Sequence, residues 1–215
     1  SDLAQGIGAT IQAKWERLPA ERRTLLKLIS RFELSRDQAT VIYVQEERKA
    51  ANIDCSDQAI IDNPYLLYEM TRLTANPTSV WTVDRGVFPD EAVRKEHPLP
   101  EPTALDAGTD ARRVRSLTVK VLEDSTNSGN TLMPQDQVVL TIRNLDIKPG
   151  CDVDGDLMGV AKDVFEDAII ETPLADGGPA LQLGRLSEMG EVIRRAIEKR
   201  FKGKRLTVDA NWRAL

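Results

Sequence analysis

Few side chains in this 215-residue chain have the types and spacing that chemistry requires. His97 is the only histidine, so a Cys/His zinc site and a triad built on several histidine partners are both excluded. Cys55 and Cys151 lie far apart and form no CxxC pair. The chain has neither a GxGxxG segment nor a GxxxxGK segment followed by Ser or Thr, so it lacks phosphate-binding loops of those kinds. The sequence therefore predicts no catalytic, cofactor or metal site within these residues.

One acidic cluster has part of the spacing of a calcium site. Asp152, Asp154 and Asp156 alternate as in an EF-hand loop, but the sixth position of that loop requires glycine and is Leu157 here. Acidic residues also stabilise a helix N-terminus through the helix dipole. The cluster is therefore interpreted as the start of a helix, with no bound ion.

A glycine-containing turn near the start of the chain could bind phosphate. Gly6, Ile7 and Gly8 form a glycine–apolar–glycine turn, which is typical of helix-hairpin-helix modules. Such a turn brings backbone N–H groups close to a phosphate, and Lys14, about two helical turns downstream, adds a cation. These four residues are candidate DNA contacts. The alternative interpretation is that the glycines make only a tight turn between two helices.

Residues 110–202 have the pattern of a small domain with three helices and a hairpin. Apolar residues recur at helical spacing from Asp110 to Ser125, and again after GNTLMP (Gly129 to Pro134), whose proline suits a helix start. A third helix is predicted over Val153 to Phe165. Two apolar runs around the turn ADGG predict a β-hairpin, and a helix with a continuous apolar stripe closes the unit. This order predicts a winged-helix domain.

The charges of that domain indicate which surface could meet DNA. In DNA-binding winged helices the third helix reads the groove, but here acidic residues outnumber its single lysine. Arg112, Arg113 and Arg115 on the first helix are better candidates for contacts with phosphate or with a partner domain. Sequence-specific reading of DNA is therefore not expected.

The whole chain is predicted to be mainly α-helical, with a helix-hairpin-helix-like region followed by the winged-helix domain and its one small β-hairpin. Periodicity and turn residues divide the chain into five segments. They are a helix-hairpin-helix-like segment (1–50), a helical segment containing NPYLLYE (51–97), a proline-rich linker (98–109), the winged-helix-like domain (110–202) and a connection (203–215).

Composition limits the partners and the compartment. The net charge is −5, which argues against strong binding of nucleic acid through charge alone. No apolar run approaches the roughly 18 residues that a membrane span needs, so no membrane partner is expected. Two isolated thiols favour a reducing compartment, hence the cytoplasm. The chain opens without an initiator methionine and ends in an unfinished amphipathic run, so we expect an excised fragment.

Several segments, taken in order, resemble a known family. NPYLLYE, VDRGVFP, the stretch from Asp110 to Pro134, and ALQLGRLSEMGEVIRRAIEK are similar to the N-terminal region of RecD-like superfamily 1 DNA helicases, which are AAA ATPases like the exonuclease V alpha subunit. The likeness covers roughly Leu34 to Leu215, and the glycine turn is a looser match. Family members often carry a second GxG hairpin shortly after NPY, and this chain does not.

The resemblance implies a parent protein that is an ATP-driven, 5′→3′ DNA helicase with roles in recombination and repair. ATP and Mg²⁺ would bind beyond Leu215, and no catalytic residue carries over to this chain. The leading hypothesis is a non-catalytic accessory region that positions DNA or a partner relative to the helicase core of the same chain. The alternatives are a protein–protein adaptor without DNA contact, and a free-standing DNA-binding regulator.

Overall fold

The computed structural model describes residues 8–105 and 107–203. Helices account for 60% of these described residues, so the prediction of a mainly α-helical protein is confirmed. The helices before residue 105 are α1 (Ala9–Arg17), α2 (Ala20–Ile29), α3 (Arg36–Tyr43), α4 (Gln45–Ala50), α5 (Asp57–Asp62), α6 (Leu66–Thr71), α7 (Val80–Val87) and α8 (Glu91–Glu96). The later elements are α9 (Ala111–Asn127), β1 (Met133–Pro134), α10 (Gln135–Arg143), α11 (Gly155–Ala161), β2 (Ile169–Pro173), β3 (Pro179–Leu183) and α12 (Gly184–Lys202), with short 3₁₀ turns at Lys162–Val164 and Glu166–Ala168.

The helix starts in the first half follow capping rules. Ser35 Oγ accepts a hydrogen bond from the Gln38 N–H, and the Gln38 side chain accepts one from the Ser35 N–H, so α3 begins with a capping box. Ser56 caps α5 in the same way through the Ala59 N–H. Helix α1 differs from its neighbours because it buries none of its residues.

The NPYLLYE segment (residues 63–69) turns the chain into α6. Asn63 Oδ1 accepts a hydrogen bond from the Tyr65 N–H at 3.1 Å, which fixes the turn before the helix. Tyr65 and Leu67 are fully buried and Tyr68 is almost so. Both tyrosines therefore pack in the interior of the protein.

Helix α9 ends where GNTLMP begins, and its end has the geometry of a Schellman motif. Gly129 has φ of 92°, the left-handed region that glycine adopts most readily. Its N–H donates to the Thr126 carbonyl, and the Asn130 N–H donates to the Ser125 carbonyl at 3.0 Å. The chain then enters β1, and α10 follows directly with Pro134 as its N-cap.

The sheet is small, antiparallel and ordered β1-β3-β2. Strands β2 and β3 form the predicted hairpin, with Ile169 opposite Leu183 at its base and Gly177 at φ 86° in its turn. The sequence did not predict β1, because the two residues Met133 and Pro134 show no alternation that marks a strand.

Helix α11 is shorter than the predicted helix from Val153 to Phe165. Asp154 caps it, accepting a hydrogen bond from the Leu157 N–H at 2.8 Å, so the acidic cluster is a helix start as interpreted. The helix gives way to 3₁₀ turns after Ala161, and Glu166 adopts φ of 46°. These turns redirect the chain into β2.

One hydrophobic core runs through both halves of the chain. Side chains from α2, α5, α6 and α7 belong to the same buried cluster as those from α9, α10, α11, β2 and β3. The proline-rich segment lies on this core, because Leu99 and Leu105 pack against it and Thr103 Oγ1 donates to the Ile61 carbonyl at 2.7 Å. Leu99, Thr103 and Leu105 therefore attach the proline-rich segment to the rest of the protein.

Candidate docking site on the last helix

Arg112, Arg113 and Arg115, which were predicted to contact phosphate or a partner domain, lie where α9 packs against the N-terminal half of the chain (residues 8–105). We call this contact the joint. Arg113 is fully buried, and its guanidinium binds both carboxylate oxygens of Asp84 at 2.7 and 2.8 Å. Tyr65 donates its hydroxyl to the same carboxylate at 2.6 Å, and the guanidinium lies over the Phe88 ring. Carbonyls of Gly108 and Pro149 accept two further hydrogen bonds from this guanidinium. Arg113 therefore clamps α7 to α9 and cannot contact DNA, so its assignment as a DNA contact is wrong.

Arg115 forms a second interior ion pair at the same joint. It binds the buried carboxylate of Glu69 at 2.9 Å and Glu166 at 3.0 Å. Ser116 donates its hydroxyl to Glu69 as well. Burial lowers the pKa of Arg115, but the charges and hydrogen bonds of Glu69 and Glu166 outweigh that effect and the net shift is upward. Its guanidinium is occupied inside the protein, so Arg115 is also corrected from a DNA contact to a structural residue.

Arg112 completes the set. Its guanidinium makes five hydrogen bonds, to both oxygens of Asp110 and to the carbonyls of Asp62, Pro102 and Ala104. Since a guanidinium has five N–H donors, none remains for a phosphate. Arg112 fastens the proline-rich segment to the start of α9. The amphipathic pattern placed all three arginines on the polar face of a surface helix, whereas that face packs against the first half of the chain.

Sequence reasoning missed the acceptors of this joint. Glu69 of NPYLLYE and Asp84 of α7 accept hydrogen bonds from the arginines of α9, and Tyr65, one helical turn before Glu69, donates its hydroxyl to Asp84. An acidic residue inside an otherwise apolar helical stretch was the one available signal, because a buried carboxylate requires a cationic partner. The motif is thus explained by packing between helices.

The candidate contacts in the glycine turn are placed only in part. Gly8 is the N-cap of α1 in an extended conformation, and Lys14 is exposed in the last turn of that helix. Gly6 and Ile7 lie outside the described residues. Contact between this turn and DNA stays a prediction.

Among the described helices, α12 carries the most exposed large apolar side chains. We define the α12 apolar face as Met189, Val192, Ile193, Ile197 and Phe201, whose side chains are 55–90% exposed. Only Gly184 of the helix is buried, and the start of the helix lies so close to the Asp167 carbonyl that a Cβ would overlap it. Arg185 adds an ion pair to Glu123 at 2.6 Å. The helix is therefore anchored by its first turn alone, and the predicted closing helix leaves its apolar stripe uncovered by the described residues.

Patterns of this kind mark docking sites. Monomeric proteins rarely expose a contiguous apolar patch of several hundred Å², and those that do use it for a protein or membrane contact. Arg194, Glu191 and Glu198 form ion pairs along one flank of the helix, which gives the apolar stripe the polar rim of an interface. The arrangement can bind an apolar surface of another polypeptide.

A groove between α7, α8 and the loop after α10 is a weaker candidate. Its volume is about 840 Å³, and both cationic and anionic side chains line it, so it offers no field that would attract phosphate. Its apolar lining includes Trp81, Phe88, Leu145 and Ile147, and its charged lining includes Arg85, Lys148, Asp90 and Asp146.

The described residues contain neither a metal-binding cluster nor a reactive thiol. Among residues 8–105 and 107–203, no cluster of three His, Cys, Asp or Glu side chains could hold a metal ion. Cys55 and Cys151 are free thiols, and burial raises the pKa of both, which makes them poor nucleophiles. None of the described helices is long and apolar enough to cross a membrane. Comparisons with protein-family models, with curated proteins and with solved structures found no match.

Proposed function

We propose that this chain is a non-catalytic accessory region of a RecD-like, ATP-dependent DNA helicase, and that it docks a protein surface relative to the motor. The resemblance of NPYLLYE, GNTLMP and the segment that contains α12 to that family supports the helicase origin. The observation that carries the docking role is the α12 apolar face, because five large apolar side chains stand exposed on one helix. In this proposal ATP and Mg²⁺ bind to the helicase core of the parent protein.

The arrangement of elements supports the finer description of the two halves. The order α9, β1, α10, α11, β2, β3 with a sheet ordered β1-β3-β2 is the one expected of a winged-helix domain. The β2–β3 hairpin would be its wing. For the first half, the start of α1 directly after Gly8 supports a helix-hairpin-helix-like turn.

Charge within the described residues favours protein contact over DNA contact. The joint occupies the guanidinium groups of Arg112, Arg113 and Arg115 with hydrogen bonds inside the protein. Helix α11 has the place of the groove-reading helix of a winged-helix domain, and its N-cap is an acidic residue. Among the described residues, Gly8 and Lys14 are the predicted DNA contacts that remain exposed. DNA binding by this region is therefore proposed to be weak.

The docking role can be tested in the longer protein that carries the motor. Ile193→Arg places a charge in the α12 apolar face, and we expect strand separation of forked DNA to fall by at least about tenfold, the loss typical of a central interface residue. Leu140→Arg on α10 is the matched control, because both side chains are 61% exposed, and it should leave unwinding unchanged. Equal unwinding by the two variants, or ATP hydrolysis by the 215-residue chain alone, would refute the proposal.

The second candidate function is a protein–protein adaptor that does not contact DNA. The internal hydrogen bonds of Arg112, Arg113 and Arg115 favour it, because these cations do not face a DNA backbone. The two are separated by binding of the chain to forked and single-stranded DNA at about 50 mM salt, where phosphate contacts are least screened. Weak binding that Lys14→Glu abolishes supports the accessory role at a fork. Lack of binding to either DNA supports the adaptor.

A further inference from the structure

We propose that a pocket between α2, α7 and the end of α8 binds the phosphate group of a nucleotide. Its volume is about 400 Å³, and its lining includes Lys27, Arg31, Arg85 and His97 but no carboxylate. A cavity lined by one sign of charge attracts ligands of the opposite sign. We call it the Arg31 pocket. It involves no residue of α12, so it does not depend on the proposed docking role.

Arg31 is a half-buried cation at the base of this argument, and no carboxylate of the described residues binds it. Its Nε donates to the Gly86 carbonyl at 3.3 Å, and NH1 donates to the His97 carbonyl at 2.8 Å. Since a guanidinium has five N–H donors, further donors remain for a ligand in the pocket.

The electrostatics of Arg31 differ from those of the arginines in the joint. Burial lowers the pKa of Arg31, and no acidic neighbour offsets this effect. For Arg112, Arg113 and Arg115, the charges and hydrogen bonds of acidic partners turn the net pKa shift upward. A charge that is withdrawn from water is costly unless an opposite charge compensates it. A bound anion would supply that compensation for Arg31.

Two helices hold the guanidinium of Arg31 in place. Helix α7 packs so closely on the segment after α2 that a Cβ on Gly86 would overlap the Phe32 ring. The Gly86 carbonyl is thereby brought within reach of Arg31, while the His97 carbonyl approaches from the end of α8. A donor that is already fixed loses less conformational entropy when a ligand binds.

The remaining charges of the pocket fit a phosphate better than a carboxylate. Lys27 is exposed on α2, and Arg85 makes only a long contact of 3.5 Å with Glu33 between two exposed side chains. Three cations therefore surround the pocket. A phosphate monoester carries about two negative charges at neutral pH and three strong acceptor oxygens, whereas a carboxylate carries one charge.

The adjoining groove can hold the rest of the ligand. Arg85, Pro89 and Val93 line both the Arg31 pocket and the groove of about 840 Å³ between α7, α8 and the loop after α10. That groove also contains the half-buried Trp81, and aromatic side chains stack on nucleic-acid bases. We therefore place the phosphate in the Arg31 pocket and the base in the groove.

Isothermal titration calorimetry of the full 215-residue chain with AMP tests the site. We expect saturable binding with a dissociation constant below about 1 mM, and binding of adenosine, which lacks the phosphate, at least about tenfold weaker. Arg31→Gln should weaken AMP binding by at least about tenfold, and Lys27→Gln by at least about threefold. Arg195→Gln on α12 is the control, because it removes the same charge from an exposed position outside the pocket, and it should leave binding unchanged.

Three results would overturn the proposal. They are absence of AMP binding up to about 5 mM, adenosine binding as tight as AMP binding, and AMP binding that survives both Arg31→Gln and Lys27→Gln. Circular dichroism should show a native helix content for each variant. Lys27 is exposed, so Lys27→Gln tests the pocket even where Arg31→Gln disturbs the packing of α7.

Two sources of the phosphate are distinguished with one oligonucleotide, prepared with a 5′-phosphate and with a 5′-hydroxyl. Tighter binding of the phosphorylated strand by at least about tenfold, lost in Arg31→Gln, identifies the end of a nucleic-acid strand as the ligand. Equal binding of the two strands, together with AMP binding, identifies a free nucleotide. Ribose 5-phosphate that binds as tightly as AMP would overturn the placement of the base in the groove.

Discussion

Replacement of Arg113 by methionine removes a buried cation while keeping most of the side-chain volume. The carboxylate of Asp84 would then keep only the Tyr65 hydroxyl as a partner in the interior. Removal of one member of a buried ion pair costs about 3–5 kcal/mol, because the charge left behind is no longer compensated. Since domains are stable by about 5–15 kcal/mol, Arg113→Met should remove about a fifth or more of the free energy of unfolding.

Urea unfolding followed by circular dichroism measures this loss, with an expected fall in the midpoint of roughly 1–3 M. Arg143→Met, on the exposed side of α10, is the control and should change the free energy of unfolding by less than about 0.5 kcal/mol. The double variant with Asp84→Asn should be more stable than the sum of the single losses implies, because it leaves no unpaired charge. Breaking a buried ion pair costs more than about 1 kcal/mol. A smaller loss in the free energy of unfolding for Arg113→Met would therefore refute the clamp between α7 and α9.

Three further predictions concern stability. Burial raises the pKa of Tyr65 and Tyr68, so the unfolded chain loses protons above about pH 10 that the folded chain retains. The two tyrosines should therefore lower the free energy of unfolding by up to about 2.7 kcal/mol per pH unit in alkali, and Tyr68→Phe should remove half of that contribution, in urea titrations at stepped pH. Ser35→Ala should cost about 1 kcal/mol by calorimetry, and no change would contradict the capping box. Gly184→Ala should destabilise by about 1–3 kcal/mol or more, because its Cβ overlaps a carbonyl, whereas Gly159→Ala in open space should stabilise by up to about 1 kcal/mol; thermal melts with the opposite order would contradict this packing.

Features that depend on neighbours in sequence were predictable. The helix starts at Ser35 and Ser56 follow from a hydroxyl that accepts a hydrogen bond from an N–H three residues later. The end of α9 follows from Gly129, whose left-handed conformation is the common end of a helix. The β-hairpin follows from two apolar runs around a turn with glycines. Each signal is contained within a few residues, so a single sequence reports it.

The roles of the arginines were not predictable in the same way. The bonds of Arg113 to Asp84 and of Arg115 to Glu69 join residues 29 and 46 positions apart, and no local pattern pairs them. Helical periodicity separates an apolar face from a polar one, but the polar face of α9 also packs against protein. Periodicity likewise predicts α12 and its apolar stripe, but it does not identify the surface that this stripe contacts.

The joint that Tyr65 and Glu69 form with α9 has a consequence for how distant kinship is detected. Glu69 binds Arg115 directly, whereas Tyr65 reaches Arg113 through the carboxylate of Asp84 that both of them bind, and no ligand is needed to explain either position. Packing alone therefore accounts for the motif, so a match to its seven letters identifies no nucleic-acid or protein partner.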